Sequence, residues 1–295
     1  MLNSAEAESV VRETILARKP ASFIRLGDGE GVMLARPSLE HTVVGPYLVS
    51  CFGPHITQSQ IDYLSRQLHE ACGRALVVGI RPDILGAPID EAWFDLPPAE
   101  FLNKFKSTFG LRPAELAKIN YTGAYRLALL NSVLAEGLLI DTGHLTTAWC
   151  HFDWSRSGFL AEIVLSEQRI GLISRHKELA EIIKTHGTAV DFYSVPPKCQ
   201  PSSAGGEPHY PDLCQQQIDS LKVLPGQVFL VGAGVCGKVY CDQIASRGGI
   251  AIDVGAVCDS WLGLPTRPLV MLSLYGIADV PIELTLARQL GCQPS

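Results

Sequence analysis

The strongest constraint on this chain is an alternation that begins at Arg169. Ile170–Ser174, Val190–Val195, Gln227–Val231 and Ile250–Asp253 are short, apolar and rich in β-branched residues, and read as strands. Lys177–Thr185, a stretch near Asp212–Leu221, and Lys238–Arg247 lie between them and read as helices. Strands alternating with helices of this length indicate parallel β-α-β units. Right-handed crossovers then put helices on both faces of the sheet and place ligand chemistry at the carboxyl ends of the strands. The expected class is α/β, a mostly parallel sheet covered on both faces. Residues 1–295 are read as one domain, with 1–165 and 166–295 as possible lobes.

The first half is more varied. Asn3 or Ser4 caps a helix running to about Lys19, where Pro20 stops it. A strand over Ser22–Leu26 leads into Gly27-Asp28-Gly29-Glu30-Gly31, and Val43–Ser50 reads as a second extended run. A helix over Ser59–Cys72 and a strand over Ala75–Ile80 follow, the strand closed by Arg81-Pro82. Pro97-Pro98 opens another helix, and Tyr121–Glu136 reads as a longer one. The pattern does not decide whether Leu138–Ile140 and Leu145–Cys150 are strands.

Composition excludes several classes. The formal charge is −6 with no Lys/Arg cluster, so the chain lacks the basic footprint of a nucleic-acid binder. No run reaches the ~18 apolar residues of a membrane helix, and the polar N-terminus lacks an apolar signal core. The expected location is the cytoplasm. The nine cysteines contain no Cys-x-x-Cys pair, which fits neither a zinc site nor a disulfide framework. They read as core thiols, Cys150 and Cys236 included. Positive mean hydropathy suits a sheet covered on both faces, and equally a subunit interface in a homo-oligomer.

Gly232-Ala233-Gly234-Val235-Cys236-Gly237 directly follows a strand and opens a helix. In that context Gly232 permits a tight turn, Gly234 lets backbone approach a phosphate, and Gly237 allows close helix–strand packing. The helix N-terminus adds unpaired N–H groups for an anion, and Lys238 in its first turn could reach a phosphate. Asp253 ends the next strand, where a ribose-binding acid would sit. The fold is thus Rossmann-like. Only 42 residues remain beyond Asp253 in a chain of 295, so the fingerprint closes the fold instead of starting a dinucleotide domain.

Asp28-Gly29-Glu30 is the second unusual turn. At an extended strand end, residues i and i+2 point the same way, so both carboxylates could hold a hard divalent cation such as manganese or magnesium. Gly27, Gly29 and Gly31 would let a ligand come close, and Arg25 could neutralise a carboxylate or hold a phosphate. A solvent-exposed turn without metal accounts for the same residues.

Phe23-Ile24-Arg25-Leu26-Gly27-Asp28-Gly29-Glu30 resembles the Arg-x-Gly-Asp-Gly-Glu segment of the GT-D glycosyltransferases, in which Asp-x-Glu stands where other families have Asp-x-Asp. Phe229-Leu230-Val231-Gly232 through Ile252-Asp253-Val254-Gly255 is similar to that family's closing β-α-β unit. The stretch from Arg81 to Trp154 matches only loosely. The resemblance implies transfer of a sugar, typically from a UDP-sugar, with a divalent metal. This sequence departs from the pattern at Ala256, where the family has His after the final Asp-x-Gly. Asp259, Trp261 and Thr266-Arg267 lie downstream instead, and Asp259 is the candidate substitute.

Further candidates are His209, in the long Pro196–Pro211 loop, and Arg267, suited to bidentate contact with phosphate. Asp212 is expected to cap the following helix. His151, Asp153, Trp154 and Arg156 form a polar cluster that is either an acceptor site or ordinary surface. The sequence therefore predicts a metal-dependent glycosyltransferase acting on a glycan or glycoconjugate acceptor. Asp28 and Glu30 would hold metal, and Asp253 or Asp259 would be the base. Arg25, Gly27, Gly29, His209, Gly232, Gly234, Gly237, Lys238 and Arg267 would surround the donor. The alternatives are an NAD(P)- or S-adenosylmethionine-dependent enzyme and an inactive Rossmann-like binding module.

Overall fold

Successive residues of a strand face opposite sides of a sheet, and here that alternation builds two cores. In one strand, Val228 and Leu230 enter one core while Phe229 and Val231 enter the other. The computed structural model describes all residues except 36–37, 82–83, 86–88, 110–118, 138–142, 197–207, 268–270, 272–275, 277–278 and 292–295. Seven strands run through it: β1 Ala21–Arg25, β2 Val77–Ile80, β3 His144–Thr147, β4 Arg169–Ser174, β5 Ala189–Ser194, β6 Val228–Val231 and β7 Ile250–Asp253. They form one sheet in the order β3-β2-β1-β7-β6-β4-β5, and every pairing is parallel. Strands from residues 1–165 and from 166–295 share that sheet, joined where β1 pairs with β7.

One core packs helices Gln58–Arg74, Tyr121–Ala135 and Cys236–Ser246 on the sheet through Ile61, Leu64, Leu68, Leu130 and Tyr240. The other packs Ser4–Leu16, Phe159–Ser166 and Lys177–Thr185 through Val11, Leu160, Leu179 and Ile183. The α/β class with helices on both faces is what the alternation required. Asn3 and Glu6 close the first helix with a reciprocal capping box. Of the two undecided segments, Leu145–Cys150 overlaps the edge strand β3 through Leu145–Thr147, and Leu138–Ile140 lies outside the described residues. No described helix is long and apolar enough to cross a membrane.

Two local readings are corrected. Val43–Ser50 is not extended but lies largely in the helix Val44–Phe52. Pro46 falls in its first turn, where a missing N–H costs nothing, and Val44, Leu48 and Phe52 recur at fourfold spacing on its buried side. Gly27–Gly31 is not an extended strand end either. A helix, Asp28–Leu34, begins at once and is capped backward by Glu30, whose Oε2 accepts from the Gly27 amide at 2.8 Å.

β4 sends the chain outward to β5, whereas its neighbour β6 sends it inward to β7. The connections leaving their carboxyl ends therefore run to opposite sides, and such a switch point opens a crevice.

Candidate active site

A cavity of about 710 Å³ opens at these strand ends. The glycine turn forms one wall. Gly234 holds φ +58°, and a Cβ there would meet nothing within 4 Å, so its backbone faces open cleft. The amides of Ala233, Gly234, Val235 and Cys236 have no acceptor among the described residues. They stand at the N-terminus of the Cys236–Ser246 helix, which adds its dipole. Gly234 has the open backbone expected of it, whereas Gly232 makes room for a close neighbour, since a Cβ there would stand 2.9 Å from Cys258 Sγ. Gly237 does not play its expected part, because a Cβ there would make only ordinary contacts, the nearest at 3.6 Å.

Behind the turn, a buried quartet joins the two glycine-rich segments. Lys238 turns inward, away from the phosphate position expected for it. Its Nζ lies 2.7 Å from Glu30 Oε1 and 3.0 Å from Asp253 Oδ2, and it donates to the Gly234 carbonyl at 3.2 Å. Asp253 Oδ2 faces the ammonium without a well-aligned hydrogen bond, so that contact is one of charge. Arg25 completes the quartet with Nη2 3.1 Å from Asp253 Oδ1 and Nε donating to the Asp253 carbonyl at 3.0 Å. Burial opposes charge on Lys238, but Asp253 and Glu30 outweigh it and raise the ammonium pKa. Burial likewise opposes charge on Asp253, yet Arg25 and Lys238 hold its pKa below the ordinary value.

Asp253 is therefore neither a free ribose-binding acid nor a base. It is fully enclosed, with both oxygens facing cations, and a depressed pKa makes it a poor proton acceptor. Arg25 is committed in the same way. Its Nη1 contacts the Ala148 carbonyl and the ring of His151, which burial and Arg25 keep neutral.

The expected pairing of Asp28 with Glu30 is also absent. On a helix, positions i and i+2 are about 200° apart, and each carboxylate finds its own cation. Asp28 Oδ2 pairs with Arg126 Nη2 at 2.7 Å, and that guanidinium lies over the Tyr47 ring at 4.4 Å. Glu30 is spent on Lys238 and the Gly27 amide. As they stand, the two residues do not form the convergent oxygen face that a hard divalent ion takes. Among the described residues, no group of three or more His, Cys, Asp or Glu side chains is arranged to hold a metal.

Asp259 fares differently. It lies on the short helix Val257–Trp261 at the cleft wall, where Oδ1 sits 2.6 Å from His176 Nε2 and 2.9 Å from Arg175 Nη2. Thr266 donates to its other oxygen at 2.6 Å. Burial works against its ionisation, but the bonds from Thr266 and His176 lower its pKa. Arg267 is exposed at the rim. His209 reaches the cleft wall, with Nε2 2.8 Å from the Tyr240 hydroxyl. Tyr240 donates onward to Gln217, so His209 Nε2 is the donor in that contact. Burial pushes the His209 pKa down to about 4.

The polar cluster at 151–156 splits. His151 joins the cleft, whereas Asp153 and Trp154 bond to Ser4 and hold the first helix. Asp212 makes no side-chain cap for the helix Cys214–Ser220. Cys150 is buried and pushed up to about 12, and Cys236 is raised by its contact with Cys214 and by burial, as suits inert thiols.

Sequence reasoning missed Arg126, Tyr47, Arg175 and His176. The last two follow β4 directly, and the rule that singled out Asp253 at a strand's carboxyl end applies equally to them. Arg126 sits mid-helix with no local signal. Among the described residues lining the cleft are six basic side chains, Arg25, Arg81, Arg126, Arg175, Lys238 and Arg267, against the acids Asp28, Glu30, Asp253 and Asp259. Among these described lining residues the basic side chains outnumber the acids by two, in a chain of net charge −6.

A parallel α/β sheet with a glycine turn at a crevice lined by basic side chains defines a protein of the Rossmann-like α/β class. The chain belongs to the GT-D-like family: the model of the GT-D fold-like domain matches residues 2–261. Two solved structures of domain of unknown function 1792 are similar over 100% of this chain and 91% of theirs, at 12% identity and a TM-score of 0.50. One of them is described as having a distinct glycosyltransferase fold. No curated protein matches significantly. The fold is of glycosyltransferase type, as the Arg25–Glu30 segment implied.

Proposed function

We propose that the protein is a glycosyltransferase that moves a sugar from a nucleotide-sugar, foremost a UDP-sugar, to a hydroxyl of a glycan or glycoconjugate. The observation that carries this reading is the pairing of four amides at Ala233–Cys236 that have no acceptor among the described residues with the basic side chains of Arg126, Arg175 and Arg267 in the same cleft. Preorganised N–H groups and cations stabilise the negative charge that grows on a departing nucleotide diphosphate. A dinucleotide reading loses its ribose acid, because Asp253 is already engaged by Arg25 and Lys238.

Proton acceptance from the acceptor hydroxyl falls to the Asp259–His176 pair. Both side chains line the cleft, and the carboxylate, 2.6 Å from the imidazole Nε2, can orient the ring. A cytoplasmic setting agrees with the free thiols of Cys51, Cys72, Cys150, Cys214, Cys236, Cys241 and Cys258. A thermal-shift panel tests the donor class, since a ligand that binds only the native state raises the melting temperature. UDP, GDP or their sugars should stabilise the protein. A response to NAD or S-adenosylmethionine alone would sink the proposal.

A further inference from the structure

The cleft charges sort into three groups. Arg25 and Lys238 balance Glu30 and Asp253 in the buried quartet. Arg126 balances Asp28. Arg175 balances Asp259. A divalent ion placed on Glu30 would have to expel Lys238, whose side chain is 5% exposed and whose ammonium stands between Glu30 and Asp253. Inserted without that exchange, it would leave two uncompensated charges in a buried quartet, and uncompensated buried charge is strongly unfavourable.

We infer that Lys238 is the resident cation of this site, standing where a divalent metal would bind and making nucleotide-diphosphate binding independent of metal. The inference rests on the donor class proposed above and contradicts the metal expected from the Asp-Gly-Glu segment. Lys238 does more than neutralise acid. Through Glu30 it holds the first glycine-rich turn, and through the Gly234 carbonyl it holds the second, so one side chain fixes both walls. Its charge also lies one carbonyl behind the open amides. There it favours an anion without touching it.

The test has two arms, both on the full chain after chelator treatment. Calorimetric titration of UDP, then GDP, is run with EDTA and with manganese. The expected result is equal affinity, within about twofold, in the two conditions. Binding that appears only with manganese overturns the inference while sparing the donor reading. The second arm needs no nucleotide. Manganese is titrated into wild type and Lys238→Met and followed by the electron paramagnetic resonance of the free ion. Wild type should show no saturable site. Lys238→Met, which leaves Glu30 and Asp253 without their ammonium, should gain manganese affinity by at least about tenfold.

A saturable wild-type site, or a folded variant with no gain, overturns the inference. If Lys238→Met does not fold, the wild-type titrations decide alone. Should neither nucleotide bind in any condition, the donor reading fails, and the manganese arm still judges whether Lys238 holds the metal position.

Discussion

Two glycine-rich turns, Gly27–Gly31 after β1 and Gly232–Gly237 after β6, look alike on paper and are built for opposite ends. The second is open: Gly234 has empty space where a Cβ would be, and four amides beside the cleft have no acceptor among the described residues. The first is closed. A Cβ on Gly29 would stand 2.6 Å from the Tyr47 hydroxyl, and one on Gly31 would stand 2.6 Å from Leu130 Cβ and 2.9 Å from the Arg126 carbonyl. Its glycines let the Asp28–Leu34 helix lie against Tyr121–Ala135, and its Glu30 holds Lys238 under the open turn. A glycine read from sequence thus marks a close approach without saying whether the thing approaching is a ligand or another helix.

Substitutions can break that contrast. The largest effect is expected at Gly31, where the neighbours are backbone and a rigid Cβ. Gly31→Val should cost about 3 kcal/mol of stability, at the upper end of overpacking penalties, read as a lower urea midpoint. A variant within about 0.5 kcal/mol of wild type would mean the closed turn has room to spare.

A middling effect is expected from acid, through His209 beside the open turn. Its folded pKa, about 4, lies below the ordinary value of 6.5, so between those values the unfolded chain binds more protons. Its contribution to stability therefore falls as the pH drops through this window, by about 2 kcal/mol between pH 7 and 5. His209→Gln keeps a donor for Tyr240 and should flatten the urea-midpoint profile, leaving the part due to neutral His151. Identical profiles for variant and wild type would show that burial does not hold His209 neutral.

The smallest stability effect belongs to Gly234. An alanine there clashes with nothing and pays only for its left-handed backbone, about 1 kcal/mol. Its methyl group would nevertheless enter the cleft over the open amides, and nucleotide affinity should fall about tenfold or more. Undiminished UDP binding by a folded Gly234→Ala protein would reduce the turn to a structural corner, like its counterpart after β1.

Local pattern carried the architecture because strand and helix periods are properties of contiguous residues. Strands β1, β2, β4, β5, β6 and β7 fall within a residue or two of the runs read from sequence, and the glycine turn sits where its flanking strand and helix required. Val43–Ser50 was misread because a short apolar run serves strand and helix alike, and only the recurrence of Val44, Leu48 and Phe52 on one packed face decides between them.

The site was legible as a list of residues and not as an arrangement. Asp28, Glu30, Lys238, Asp253 and Asp259 all reach the same crevice, as their places at strand ends and turns suggested. The sequence by itself determined which charges arrive there, since parallel crossovers deliver strand ends to one edge. Only the tertiary structure decided how they pair. Arg126 takes Asp28, Lys238 takes Glu30 and Asp253, and His176 takes Asp259, across chain separations of 98, 208 and 83 residues for Asp28, Glu30 and Asp259. Pairing of buried charge depends on distances of a few ångströms between distant segments, and no local periodicity encodes those.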